Sequence, residues 1–165
     1  MMRNIKLVLA YDGANYHGFQ RQNNAIAIQQ IIEKNLEKLV GHKIEKLAAS
    51  GRTDTGVHAR GQVINFYTTG SIPIANIKLA LNSLLPEDIV VLAATEMPLE
   101  FSARHSAVSK KYKYYIRQGD NLDPFQRNYS WYIRKSVNVQ EMQLGLQDIE
   151  GTHDFSSFRA TGSSP

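Results

Sequence analysis

The sequence predicts a mixed α/β (α+β) fold: a ferredoxin-like β-α-β-β-α-β lobe with an antiparallel sheet, then the beginning of a second, similar lobe. Three observations carry that expectation. Apolar residues alternate near the start, where Ile5, Leu7, Leu9 and Tyr11 are separated by Lys6, Val8 and Ala10. They then recur at helical spacing in Ile28, Ile31, Ile32, Leu36 and Leu39. Beyond that helix the two patterns exchange places until about residue 92 in the order strand, strand, helix, strand.

Taken in order, the first strand ends at Asp12-Gly13, a turn pair. Gly41 stands where the first helix needs its C-cap. A second strand fits residues 44–49 and a third fits 62–68, in which Gln62, Ile64 and Phe66 share a face. The second helix is expected over 73–85, with Ser71 near its N-cap, Pro73 in its first turn and Ile77, Leu81 and Leu84 facing inward. Pro86 stops it. A fourth strand fits 89–92. Further strands are expected over 111–117 and 129–133, separated by Gly119-Asp120-Asn121 and Asp123-Pro124. A last helix carries Met142, Leu146 and Ile149 on one face and closes at Gly151. These elements divide the chain into one lobe at 1–105 and the opening of an incomplete second at 106–165.

The 165 residues are 42% hydrophobic and 21% charged, with 11 Gly and 5 Pro, so collagen-like and low-complexity classes are excluded. The absence of cysteine removes disulfide scaffolds, thiolate zinc sites and thiol nucleophiles. The start lacks the apolar stretch of a signal peptide. No run approaches the roughly 20 apolar residues that span a bilayer. A soluble cytoplasmic protein is therefore expected. The net charge of +4 suits an anionic partner without identifying one.

Three segments could carry chemistry. Residues 51–61 hold three glycines in eleven positions, with one carboxylate, Asp54, and a cation, Arg52, two places before it. A neighbouring cation keeps a carboxylate ionised, as a nucleophile or general base requires. Equally, Asp54 could simply cap the turn. Residues 110–115, Lys-Lys-Tyr-Lys-Tyr-Tyr, would set Tyr112 and Tyr114 on one strand face and Lys111 and Lys113 on the other. That pattern suits stacking on bases beside phosphates, and it also suits a core-facing tyrosine row. Residues 16–22 form a polar, aromatic loop in which Gln20, Arg21 and Gln22 could meet phosphate and sugar, or could be plain surface. The five histidines (17, 42, 58, 105 and 153) are scattered and no HExxH pair exists, so a metal site has little support. Nucleotide-cofactor loops are absent, and Ser109, Ser156 and Ser157 lack a nucleophile-elbow context.

Residues 51–59, Gly-Arg-Thr-Asp-Thr-Gly-Val-His-Ala, resemble the catalytic signature of the tRNA pseudouridine synthase A (TruA) family. Three further blocks resemble it in the same order. They are Tyr11-Asp12-Gly13 with residues 16–22, residues 101–107 followed by 111–114, and residues 151–159. The resemblance implies the pseudouridine synthase fold and the isomerisation of uridine to pseudouridine at positions 38 to 40 of the tRNA anticodon stem-loop. It implies no metal and no organic cofactor, with tRNA and a second copy of the chain as partners. By the same resemblance Asp54 is the catalytic residue, Tyr112 packs against the target base, and Arg52 acts on the flipped nucleotide and its phosphate. Arg21, Arg60, Arg104 and Lys111 would then serve the RNA phosphates. The reaction breaks the bond from C1′ to N1, turns the base and rejoins it through C5. It imports no group, and the target must leave the stack to reach the site.

Some positions depart from the family pattern. Thr55 stands where many members have Ala, and His105 where Phe is common. Members are also typically about half as long again. The chain is thus expected to lack most of the second lobe, including a Met-Val-Arg segment whose arginine lies against the catalytic carboxylate. A non-catalytic RNA-binding fragment of such an enzyme is the alternative reading.

Overall fold

Alternation at the start of the chain becomes β1 (Arg3–Tyr11), whose Ile5, Leu7, Leu9 and Tyr11 are all buried on one face. In the computed structural model, which describes residues 1–158, the chain divides into two compact units, Met1–Lys111 and Tyr112–Pro165. The first unit runs β1, α1 (Ile28–Val40), β2 (Leu47–Ala49), β3 (Ala59–Thr68), α2 (Ile74–Asn82) and β4 (Ile89–Met97). This is the element order expected from the sequence. The sheet order is β2-β3-β1-β4, with every neighbouring pair antiparallel.

The core lies on the helix-bearing face. Ile28, Ile32 and Leu36 of α1 and Ile77 and Leu81 of α2 join the buried row of β1, with Ile64 and Phe66 of β3 and Ile89 and Val91 of β4. Each such side chain contributes about 1.5–3 kcal/mol by leaving water. A bulge in β4 completes this face. Val8 pairs with Ala93 but Leu9 pairs with Val91, so one extra residue is inserted at Leu92. That insertion lets Ala94 and Val91, three apart, lie along the same buried row of β1.

Several expected boundaries move. β2 is shorter than 44–49, while β3 begins earlier and β4 runs on to Met97. α2 ends at Asn82, and no side chain caps its start: the N-cap is Pro73, and Ser71 does not fill the role. The chain leaves the helical path after Ser83, so Leu84 is exposed and Leu85 takes the inward place. On α1, Gly41 is the C-cap, left-handed at φ 76°, with its N–H donating to the Glu37 carbonyl at 3.0 Å.

The sheet's second face is crossed by the turn that follows β4. Buried Asn4 donates from Nδ2 to the Pro98 and Phe101 carbonyls, both at 2.9 Å. Asn65 donates to Asn4 Oδ1 at 2.8 Å and accepts from the Ala103 N–H at 2.8 Å. These bonds satisfy two amides that burial would otherwise penalise.

The second unit holds β5 (Ile116–Gln118), β6 (Trp131–Ile133), α3 (Val139–Gln147) and a short 3₁₀ turn, Ser156–Phe158. β5 and β6 pair in parallel, so a long connection must separate them. The expected strand over 111–117 is reduced to its end. Pairing begins only at Ile116 with Trp131, and Tyr112, Tyr114 and Tyr115 precede it, exposed. α3 is capped by Asn138, whose side chain accepts from the Gln140 and Glu141 amides. It ends at Asp148, before the Gly151 expected to close it, and Met142, Leu146 and Ile149 are exposed. Arg159, which closes the fourth block, lies outside the described residues.

Candidate active site

Two loops meet at the end of the sheet where β1 finishes and β3 begins. One joins β1 to α1 and the other joins β2 to β3, so residues far apart in sequence become neighbours. The Phe19 N–H donates to the Thr53 carbonyl at 2.9 Å, and the Gly56 N–H donates to the Tyr16 carbonyl at 3.2 Å. The Tyr11 hydroxyl and Thr53 Oγ1 share a hydrogen bond of 2.9 Å.

This approach is too close for side chains at two positions. A Cβ on Gly18 would stand 2.6 Å from the Thr53 carbonyl oxygen, and its φ of +80° is itself a glycine conformation. At Gly13 a Cβ would stand 2.0 Å from the Val57 carbonyl oxygen. The glycines of the first loop thus admit the backbone of the second.

A third loop braces the pair. Buried Tyr16 donates its hydroxyl to Asp88 Oδ1 at 2.6 Å, and the Asp12 N–H donates to the Asp88 carbonyl at 2.9 Å. Burial, reinforced by the bond to Asp88, pushes the Tyr16 phenol well above the ordinary tyrosine range. Burial also raises Tyr11, against the opposing effect of its bond with Thr53. His58 Nδ1 lies 2.9 Å from the Asp12 carboxylate and 3.2 Å from the Gly13 amide nitrogen.

Between the first two loops lies a cleft of about 340 Å³. His17, Gly18, Gln20, Arg21 and Gln22 line one side, and residues 52–55 line the other. Three candidate residues, Arg21, Arg52 and Asp54, therefore share one cleft. Asp54 is exposed in it, as is Arg52. Among the described residues no ion pair joins Arg52 to Asp54. Spacing of two in an irregular loop does not bring the groups within reach. Arg21 is instead paired with Glu33 of α1, Nη2 to Oε2 at 3.2 Å.

The other candidates lie elsewhere. Arg60 and Arg104 are exposed and do not line the cleft, and neither does Lys111, the last residue of the first unit. Tyr112 opens the second unit and is 69% exposed. Sequence reasoning passed over Lys110, whose side chain packs against Gly51; a Cβ there would lie 3.2 Å from its Nζ. It also missed Tyr16 with Asp88, and Glu33, because their partners are remote in sequence. Among the described residues no group of three His, Cys, Asp or Glu could hold a metal ion. No helix among them is long and apolar enough to cross a membrane.

A family model described as tRNA pseudouridine synthase matches residues 7–106, which include both cleft loops and Asp54. The chain belongs to the tRNA pseudouridine synthase family. It is 47% identical over 163 residues to tRNA pseudouridine synthase A of Thermoanaerobacter sp. (strain X514), covering 99% of this chain and 66% of that protein. To the protein of the same name from Clostridium kluyveri it is 47% identical over 162 residues, covering 98% and 66%. To that of Halalkalibacterium halodurans it is 44% identical over 159 residues, covering 96% and 60%. The chain thus spans slightly less than two thirds of the length of these pseudouridine synthases, and the similarity extends beyond residue 106 into the second unit.

Proposed function

We propose that the chain isomerises uridine to pseudouridine in the anticodon stem-loop of tRNA, at positions 38 to 40, with Asp54 as its catalytic residue. The observation that carries this reading is the cleft itself. Two sequence blocks about 30 residues apart converge on one exposed carboxylate, with Arg52 on its own wall and Arg21 on the facing one. A base can leave its stack to enter such a site, and an exposed Asp54 can reach its ribose. The carboxylate then attacks C1′ or takes a proton from C2′, and the bond from C1′ to N1 breaks. The uracil turns and C1′ joins C5, as the Asp54–C1′ bond breaks in the first route or Asp54 returns the proton to C2′ in the second. The proton on C5 is lost and N1 gains one, so the net change is an isomerisation.

In this reading Arg52 steers the flipped nucleotide through its phosphate and Tyr112 packs against the base. Arg60, Arg104 and Lys111 meet the RNA backbone. The first unit is the ferredoxin-like lobe carrying the catalytic loop, and the second is the opening of a further α/β lobe. A second copy of the chain is its partner, and the cytoplasm its compartment.

The test is chemical mapping of pseudouridine in unmodified tRNA after incubation with the chain and with Asp54→Asn. The expected outcome is a new mark in the anticodon stem-loop that the variant fails to produce while still binding RNA. A mark of equal strength from Asp54→Asn removes Asp54 from the chemistry. A second reading, a non-catalytic RNA-binding fragment, is favoured by one observation: the apolar face of α3 is exposed. It predicts salt-sensitive binding to structured RNA with no mark from either protein.

A further inference from the structure

Arg21 is held at two points by the same two side chains of α1. Its backbone N–H donates to Gln29 Oε1 at 3.2 Å. Gln29 Nε2 donates to Glu33 Oε1 at 2.8 Å, and the other Glu33 oxygen, Oε2, meets Arg21 Nη2 at 3.2 Å. The bonds form a closed ring from the main chain of Arg21 through Gln29 and Glu33 back to its guanidinium. Gln29 and Glu33 are four apart and so lie on one face of α1.

The ring is asymmetric in burial. The Glu33 side chain is 10% exposed and that of Arg21 is 56% exposed. Burying a carboxylate is costly unless its oxygens are partnered, and here Oε1 accepts from Gln29 while Oε2 is ion-paired with Arg21. Anchoring the loop alone would need only the amide bond to Gln29. The additional carboxylate holds the guanidinium through Nη2, which leaves that planar group other N–H donors, and Arg21 lines the cleft with Asp54.

We infer that Glu33 and Gln29 are positioning residues that hold Arg21 as a preorganised phosphate receptor at the mouth of the Asp54 cleft. This rests on the proposed reading in one respect, that the ligand entering the cleft is RNA. Fixing the guanidinium beforehand lowers the ordering penalty when a phosphate arrives. The carboxylate therefore strengthens binding of a polyanion although it is itself negative.

That opposition of signs supplies the test. Binding of an unmodified tRNA transcript to the full chain is measured across salt concentrations for wild type, Arg21→Ala, Glu33→Gln and the double variant. Thermal unfolding by circular dichroism confirms that each is folded at the assay temperature. Arg21→Ala is expected to weaken binding about tenfold and to reduce the salt slope by about 0.7 to 0.9, the loss of one phosphate contact. Glu33→Gln is expected to weaken binding about threefold in folded protein, and to cost nothing more once Arg21 is gone. Simple charge addition predicts the reverse, since removing a negative group should tighten binding to RNA. Glu33→Gln protein that binds as tightly as wild type or tighter overturns the inference, as does a wild-type chain that binds no RNA. Failure of the catalytic reading is seen separately, as wild-type binding without a pseudouridine mark, and the binding comparison then still decides this one.

Discussion

Two helices of similar amphipathic design meet different fates in this chain. α1 buries Ile28, Ile32 and Leu36 against β1, whereas α3 carries Val139, Met142 and Leu146 at comparable spacing and buries none of its residues. The pattern of apolar residues determines that a helix forms and which stripe it offers. It does not supply the surface that covers the stripe. In the first unit four strands provide one; in the second, two strands of three residues each do not. The second unit's contacts include the bond from the Tyr132 hydroxyl to the Gly119 carbonyl, the Arg117–Asp123 ion pair and the ring contacts of Phe155 with His153 and Phe158.

The sharpest way to break that comparison is to unfold the units under separate probes. The single tryptophan, Trp131, lies in β6 and reports on the second unit, while far-ultraviolet circular dichroism is dominated by the first. Phe66→Ala, in a fully buried position, is expected to lower the stability of the first unit by about 3–5 kcal/mol. It should leave the Trp131 transition where it was. Two transitions that shift together would show that the units unfold as one.

Next in size is Tyr16→Phe, expected to cost about 1.5–3 kcal/mol by removing a hydrogen bond to a carboxylate. This bond also sets a pH dependence. The folded phenol holds its proton beyond the pH at which an unfolded tyrosine, near about 10, releases it. Its contribution is therefore complete below about pH 10 and is lost as pH rises toward the raised folded value. Denaturant midpoints measured from pH 8 to 11 should fall for wild type and fall less for Tyr16→Phe. Gly18→Ala follows, at about 1–2 kcal/mol from its left-handed backbone, with a larger loss of activity because the clash falls on the Thr53 carbonyl. Leu146→Ala on α3 sharpens the comparison from the other side, with an expected change within about 0.5 kcal/mol by either probe.

Legibility in the sequence followed the same division. β1, α1 and β3 were readable because each repeats a period against a partner that exists. The tyrosines before Ile116 follow a strand period too, but the ladder with β6 begins only at Ile116, with the Trp131 N–H reaching back to the Tyr115 carbonyl. Leu84 was assigned inward by extending the helix to its proline, whereas the backbone departs from the helix after Ser83 and exchanges it for Leu85. Within the site, the glycine-rich loop with Asp54 was visible as a local cluster. The convergence of residues 17–22 upon it was not, since it depends on the turns between strands. Nor was the claim of Glu33 on Arg21, twelve residues away, which needs α1 to be docked before the pair exists.

The position of β1 carries a consequence for how the protein is made. It is made before the other three strands of its sheet, yet it lies inside that sheet, and both its neighbours, β3 and β4, come later. At about 5–20 residues per second, 57 residues of further synthesis precede the completion of β3, and 86 that of β4. For several seconds the nascent chain therefore presents a strand with two unsatisfied edges. Of the elements that follow it, α1 arrives first, complete 29 residues after β1 ends, and can shield its apolar row. Asn4 waits longer still, because its carbonyl partners at Pro98 and Phe101 follow the last strand of the sheet. The amide network across the second face thus acts as a record of completion, formed only once every strand of the first unit has emerged.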